Sequence, residues 1–184
     1  MGQTKQTFYE TFTRTALRER SIPFIIAAPL TKKDTANDRK MEAFKRLESS
    51  RQQCTDILLN YLTNREDDYL EQSIKIVEMC AMGKCIGYIA FHTLSTLWYV
   101  LRRRSDKERR ENLRDICEIF TVACASQNEI LDAIDKNSFS DFEDCLQDKC
   151  AKEVGADYII TCNTKDFEES EVPAVNPKEF LKLI

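Results

Sequence analysis

From residue 56 onward, apolar positions alternate between two spacings, one helical and one extended. Leu58 to Leu62 and Tyr69 to Met82 read as helices, the second with Leu70, Ile74, Val77 and Ala81 on one face and Gly83 at its end. Gly87 to Phe91 reads as a buried strand. Thr93 to Arg104 is then an apolar helix whose closing arginines suit the negative end of its dipole. Helices over 106–119 and 128–135 flank a strand over Phe120 to Ala125. Asp141, Asp144 and Asp148 fall at i, i+3 and i+7, so they predict a polar stripe on a helix that turns Phe142, Cys145, Leu146 and Val154 inward and ends at Gly155. Tyr158 to Thr161 is a strand buried on both faces, Val172 to Val175 an edge strand that tolerates Pro173, and Pro177 to Leu183 a final helix. Strands alternating with helices imply a short, mainly parallel sheet between helical layers, an α/β/α sandwich.

The first fifty residues differ. Phe8, Phe12 and Ala16 predict a helix over Thr7 to Arg20, Ile22 to Ala27 is a short apolar strand, and a long helix runs from about Thr35 to Leu62. The division is therefore an appendage over 1–50 and a main domain over 51–184.

Composition narrows the chemistry. The 184 residues carry a formal charge of −4, so no global positive field gathers nucleic acid. No apolar run of membrane length and no signal peptide is present, which predicts a cytoplasmic protein with no membrane contact. The eight cysteines lie in apolar patterns and read as reduced, buried thiols; the five-residue spacing of Cys80 and Cys85, and of Cys145 and Cys150, is not that of a zinc site. Arg102, Arg103, Arg104, Lys107, Arg109, Arg110 and Arg114 form the one basic concentration, interleaved with Glu108, Glu111 and Asp115. That mixture favours a solvated, salt-bridged face over an RNA-phosphate contact. His92 reads as a capping or packing residue, and Trp98 and Tyr99 as core.

Three segments carry a resemblance. Asp141-Phe142-Glu143-Asp144, then Gly155 to Phe167, then Val172-Pro173 and Pro177 to Phe180 resemble the C-terminal half of a PIN domain of the toxin-like bacterial subgroup. Gly87 to Ala90, Thr93 to Arg103 and Leu62 to Glu66 extend the likeness over about 55–184. It implies a metal-dependent endoribonuclease, the toxin of a toxin–antitoxin pair, holding Mg²⁺ or Mn²⁺ on acidic and amide side chains that activate water. Carried over by position, Asp144, Asn163 and Asp166 are the catalytic and metal-binding candidates, with Glu143 and Asp56 as further metal ligands. Thr96 stands where many such proteins carry a helix glutamate. The family's leading carboxylate would fall on Cys54, and the residues before it, Glu48 to Gln53, are too polar for a central buried strand. The resemblance thus implies a toxin-like protein with a degraded active site; the alternative is an inactive interaction module or an antitoxin–toxin fusion remnant.

Residues 4–28 resemble the end of a RelB/DinJ-type antitoxin, without the DNA-reading ribbon that precedes such a segment, so DNA binding is not expected. RNA, an antitoxin or a second copy of the chain are the implied partners. Ile22 to Ala27 is an apolar strand without a sheet, and the sheet lacks a central strand. Pairing the two in cis would bury residues that otherwise stay wet; the alternative is that residues 1–50 form a loosely docked helical arm.

Overall fold

The computed structural model describes residues 24–27, 37–53, 68–136, 139 and 141–184. The expected helices over Thr7 to Arg20 and Leu58 to Leu62 lie outside them, as does the far end of the helix expected to reach Leu62. Among these residues five strands form one sheet: β1 (Phe24–Ala27), β2 (Ile86–Ala90), β3 (Thr121–Ala123), β4 (Tyr158–Ile160) and β5 (Ala174–Val175), in the order β3-β2-β1-β4-β5. The helices are α1 (Asn37–Gln53), α2 (Leu70–Ala81), α3 (Phe91–Val100), α4 (Asp106–Ile119), α5 (Gln127–Asp135), α6 (Phe142–Glu153) and α7 (Pro177–Leu183), with 3₁₀ turns over Leu101–Arg103 and Thr164–Phe167.

β2 pairs in parallel with β3, and β4 with β5. β1 stands in the middle of the sheet, antiparallel to both neighbours: Ile25 is opposite Tyr88 on one side and Ile159 on the other. Four strands therefore run one way and the central one runs against them. The hydrogen-bonding groups of β2 and β4 that face the middle of the sheet are met by the N-terminal segment, in cis.

Alternation along the strands builds two cores, as the period of two requires. Ile89 and Ile160 point to one side, where α1, α2, α4 and α7 contribute Phe44, Leu47, Ile76, Val77, Ile116, Ile119 and Phe180. Ala90, Ala123 and Ile159 point to the other, against Cys150 and Ala151 of α6, with Phe167 and Val172. The result is a sheet between two helical layers. Its helix starts are locally encoded: Ser105 with Glu108, Ser126 with Glu129 and Asn176 with Glu179 each close a reciprocal capping box. Gly155 ends α6 at φ 62°, a left-handed conformation that residues with a side chain adopt only at a cost.

One orientation differs from the sequence expectation. Phe142 is exposed, whereas Asp144 and Asp148 are buried, so the acidic stripe of α6 faces inward. The reason is hydrogen bonding: Asp148 Oδ1 accepts from the backbone N–H groups of Glu171 at 2.9 Å and Val172 at 3.3 Å, and from the Ser170 hydroxyl. A carboxylate that satisfies the chain's own donors is buried without leaving them unpaired. Trp98 and Tyr99 are half-buried rather than core. No helix among the described residues is long and apolar enough to cross a membrane.

Candidate functional site

The carboxyl ends of β2, β3, β4 and β5 share one edge of the sheet, where ligands sit in open α/β folds. β1 is reversed, so its first residue, Phe24, lies beside the end of β4 at Ile160. A central strand running with its neighbours would end at this edge and present a side chain there. This one begins there, and its sequence, Phe24-Ile25-Ile26-Ala27, contains no acid. Asp56 lies outside the described residues.

α6 brings acids to its N-terminal end. Asp141 is the cap, and its Oδ1 accepts from the Glu143 N–H at 2.7 Å. Glu143 and Asp144 occupy the first turn, where the helix dipole favours negative charge. Thr96, buried on α3, donates its hydroxyl to Glu143 Oε1 at 3.3 Å. The position expected to carry a glutamate thus meets one from the neighbouring helix. Burial pushes the Glu143 carboxyl above its ordinary pKa, the Asp141 charge adds to this, and the Thr96 hydrogen bond opposes it. Asp144 is buried beside it.

The other candidates follow β4. The Asn163 backbone N–H donates to Thr161 Oγ1 at 3.1 Å, and its side-chain amide donates to Asp166 Oδ2. Asn163 and Asp166 therefore close a turn upon each other at the start of the 3₁₀ segment Thr164–Phe167. Asp141, Glu143 and Asp144 sit together at one helix start, and Asn163 and Asp166 sit together at one strand exit. Among the described residues, no group of three or more His, Cys, Asp or Glu side chains is placed to hold a metal ion. A divalent Mg²⁺ or Mn²⁺ needs several oxygens converging near octahedral geometry. One candidate amide is already turned, through its N–H, to a candidate carboxylate. The described residues do not fit the ion.

His92 opens α3 at the same edge. Its ring is largely buried against Phe91, edge to face at 5.4 Å, and neither nitrogen has a hydrogen-bond partner among the described residues. Burial lowers its pKa to about 4, so the ring is neutral at pH 7. Among the described residues it packs rather than caps, and no sequence signal marks its nitrogens as buried without partners.

The basic concentration is divided. Arg109 is bound to Asp106 and its guanidinium lies 3.9 Å from the centre of the Trp98 ring, Lys107 reaches Glu111 at 3.9 Å, and Arg102 stacks on Tyr99 at 4.6 Å. Trp98, Arg110, Leu113, Arg114 and Cys117 line an open cleft on this face.

Comparison with known proteins gives one match. The family model for the PIN domain covers residues 55–165, which leaves β1 and α1 outside it. No curated protein and no solved structure matches the chain.

Proposed function

The chain belongs to the PIN-domain family, a nuclease-like fold, and on that premise we propose that it descends from a metal-dependent endoribonuclease toxin of a toxin–antitoxin system and carries a degraded active site. PIN domains typically use divalent metals. Here Asp144, Asn163 and Asp166 are the remnant of the Mg²⁺ or Mn²⁺ set, with Glu143 and Asp56 as its outer members. The observation that carries this reading is the central strand. β1 lies outside the matched region, runs antiparallel and brings no acid to the sheet edge where the leading carboxylate would stand. Losing one hard-oxygen ligand is severe for an ion that already retains several waters. Residues 1–50 are read as an antitoxin-like appendage docked onto the toxin's fold, in a cytoplasmic bacterial protein.

The test is calorimetric titration of Mg²⁺ and Mn²⁺ into the folded chain beside Asp144→Ala, with a single-stranded RNA cleavage assay in the same metals. The expected result is no saturable sub-millimolar binding and no cleavage. Saturable binding that Asp144→Ala removes, with metal-dependent cleavage, would overturn the degraded-site reading and restore an active ribonuclease.

A second reading is an interaction module without catalysis. It is favoured by the exposed Leu131 and Ile134 of α5 and Phe142 of the adjoining α6. Sedimentation of the purified chain distinguishes it: self-association weakened by Leu131→Asp supports the module, and a monomer at all concentrations removes self-association from it.

A further inference from the structure

A pair of thiols far from any step of nuclease chemistry is built into the first core. Cys80 lies in the last turn of α2 and Cys85 directly precedes β2. A tight reversal joins them: the Gly83 N–H donates to Cys80 O at 3.0 Å, the Lys84 N–H donates to Met79 O at 2.9 Å, and Gly83 adopts φ 66°. This is the glycine-closed end of a helix, and it fixes where both cysteines sit. Their sulfurs stand 3.4 Å apart, both buried. On the β2 side, Cys80 Sγ occupies space that any side chain at residue 87 would contest, since a Cβ on Gly87 would lie 2.9 Å from it.

We propose that Cys80 and Cys85 are an oxidisable dithiol that closes to an intramolecular disulfide when the protein meets hydrogen peroxide. A disulfide needs about 2.05 Å between sulfurs, so closure requires roughly 1.4 Å of approach, within reach of small side-chain rotations. Polarity within the pair sets the direction of the chemistry. The Cys80 S–H hydrogen bond holds the Cys85 thiol below its ordinary pKa against the opposing effect of burial, and the Lys40 charge adds to it. Cys80 is itself raised by the same contact and by its complete burial. Cys85 is therefore the sulfur of the pair that gives up its proton first and attacks.

In the first step the Cys85 thiolate takes one oxygen from hydrogen peroxide. The O–O bond breaks, hydroxide leaves and takes up the proton released from the Cys85 thiol, and Cys85 becomes a sulfenic acid. In the second, the Cys80 sulfur attacks Cys85, the S–O bond breaks and water leaves with the Cys80 proton. Two thiols lose two electrons, and one peroxide becomes two waters. The product ties the end of α2 to the start of β2 across its turn.

The experiment treats the full folded chain with hydrogen peroxide, blocks remaining thiols by alkylation and maps tryptic peptides without reduction. Cleavage after Lys84 separates the two cysteines, so the disulfide appears as peptides 76–84 and 85–102 linked to each other and parted by reductant. The expected result is this linkage forming before the exposed thiols Cys117 and Cys124 lose their reactivity to the alkylating agent. Cys80→Ala should abolish the linkage and leave Cys85 to progress to sulfinic acid. Cys85→Ser should abolish it with Cys80 unmodified. Oxidation of Cys117 and Cys124 while 80 and 85 stay alkylatable, or a linkage that forms only in urea, would overturn the proposal. So would sulfinic acid at Cys85 in the unsubstituted chain.

Discussion

The two ends of α6 use the same residue type for opposite ends. At its C-terminal half, Asp148 accepts three hydrogen bonds through one oxygen, and Lys149, 3% exposed in its side chain, reaches Asp132 at 2.5 Å and Glu171 at 3.1 Å, with Lys152 on the same glutamate at 2.6 Å. Each of these charges has an opposite charge or a backbone donor, and the cluster fastens the helix to the segment before β5. At its N-terminal end, Asp141, Glu143 and Asp144 crowd together with a cap bond and a threonine hydroxyl among the contacts that receive them. Charges answered by the chain itself become architecture. Acids gathered at one helix start repel one another, and burial adds to the cost of charging them.

The largest expected effect breaks the anchor. Asp148→Ala leaves the buried Val172 N–H and the half-buried Glu171 N–H without their acceptor, which costs about 3 kcal/mol. Urea denaturation monitored by circular dichroism measures it. Asp148→Asn, which keeps one acceptor oxygen, should lose roughly half as much. An Asp148→Ala protein as stable as the parent would mean that water replaces the carboxylate and that the anchor is not one.

This anchor also marks where the sequence stops being legible. Strand and helix positions followed from local pattern: α7 matches its expected bounds, β4 and β2 lie within a residue of theirs, and capping boxes are written in Ser105, Ser126 and Asn176. The face of α6 did not follow. Its acids recur at helical spacing, and a polar stripe normally faces water. What reverses it is a loop 22 to 24 residues further on, whose N–H groups need an acceptor. Spacing along one helix carries no record of a partner so distant. The grouping of Asp141, Glu143 and Asp144 was visible because they are neighbours in sequence. The contact of Glu143 with Thr96, 47 residues away, and the direction of β1 were not, because an apolar run of four reads the same in either direction.

Acid separates the two ends by pH. His92, on α3 one turn before the Thr96 that meets Glu143, is neutral in the fold with a pKa of about 4, against about 6.5 in an unfolded chain. Its folded pKa is depressed, so the unfolded state binds the proton first. Stability is then full above pH 6.5 and falls as pH drops from about 6.5 to 4, by on the order of 2 kcal/mol. His92→Phe, which cannot titrate, should flatten that part of the stability curve. An unchanged slope between pH 6.5 and 4 would place the acid sensitivity elsewhere.

The anchor responds at lower pH. Bonds from Lys152 and Lys149 hold the Glu171 carboxyl at about 2. A depressed carboxylate contributes above its unfolded value near 4.3 and loses that contribution as pH falls toward 2. Glu171 is 40% exposed, so water screens the pair and the effect is about 1 kcal/mol or less. Lys149→Met should shrink this second acid step and leave the first intact. If instead it changes the slope between pH 6.5 and 4, the two ends of the helix are coupled and the comparison fails.

The smallest effect has the opposite sign. Burial and the Asp141 charge raise the Glu143 carboxyl, so the folded state holds that proton more tightly than the unfolded one. By linkage, ionised Glu143 subtracts stability at pH 7, and the loss is recovered as pH falls below the folded pKa. Glu143→Gln removes the charge, keeps an oxygen for the Thr96 hydroxyl and should stabilise the protein by about 0.5 kcal/mol at pH 7, with no gain at pH 4. The paired measurement at the two pH values is what identifies the cause. A gain of equal size at both would point to better packing. A loss at pH 7 would mean that the carboxylate is answered by a cation there, and the proposal of a degraded site at the N-terminal end of α6 would fail.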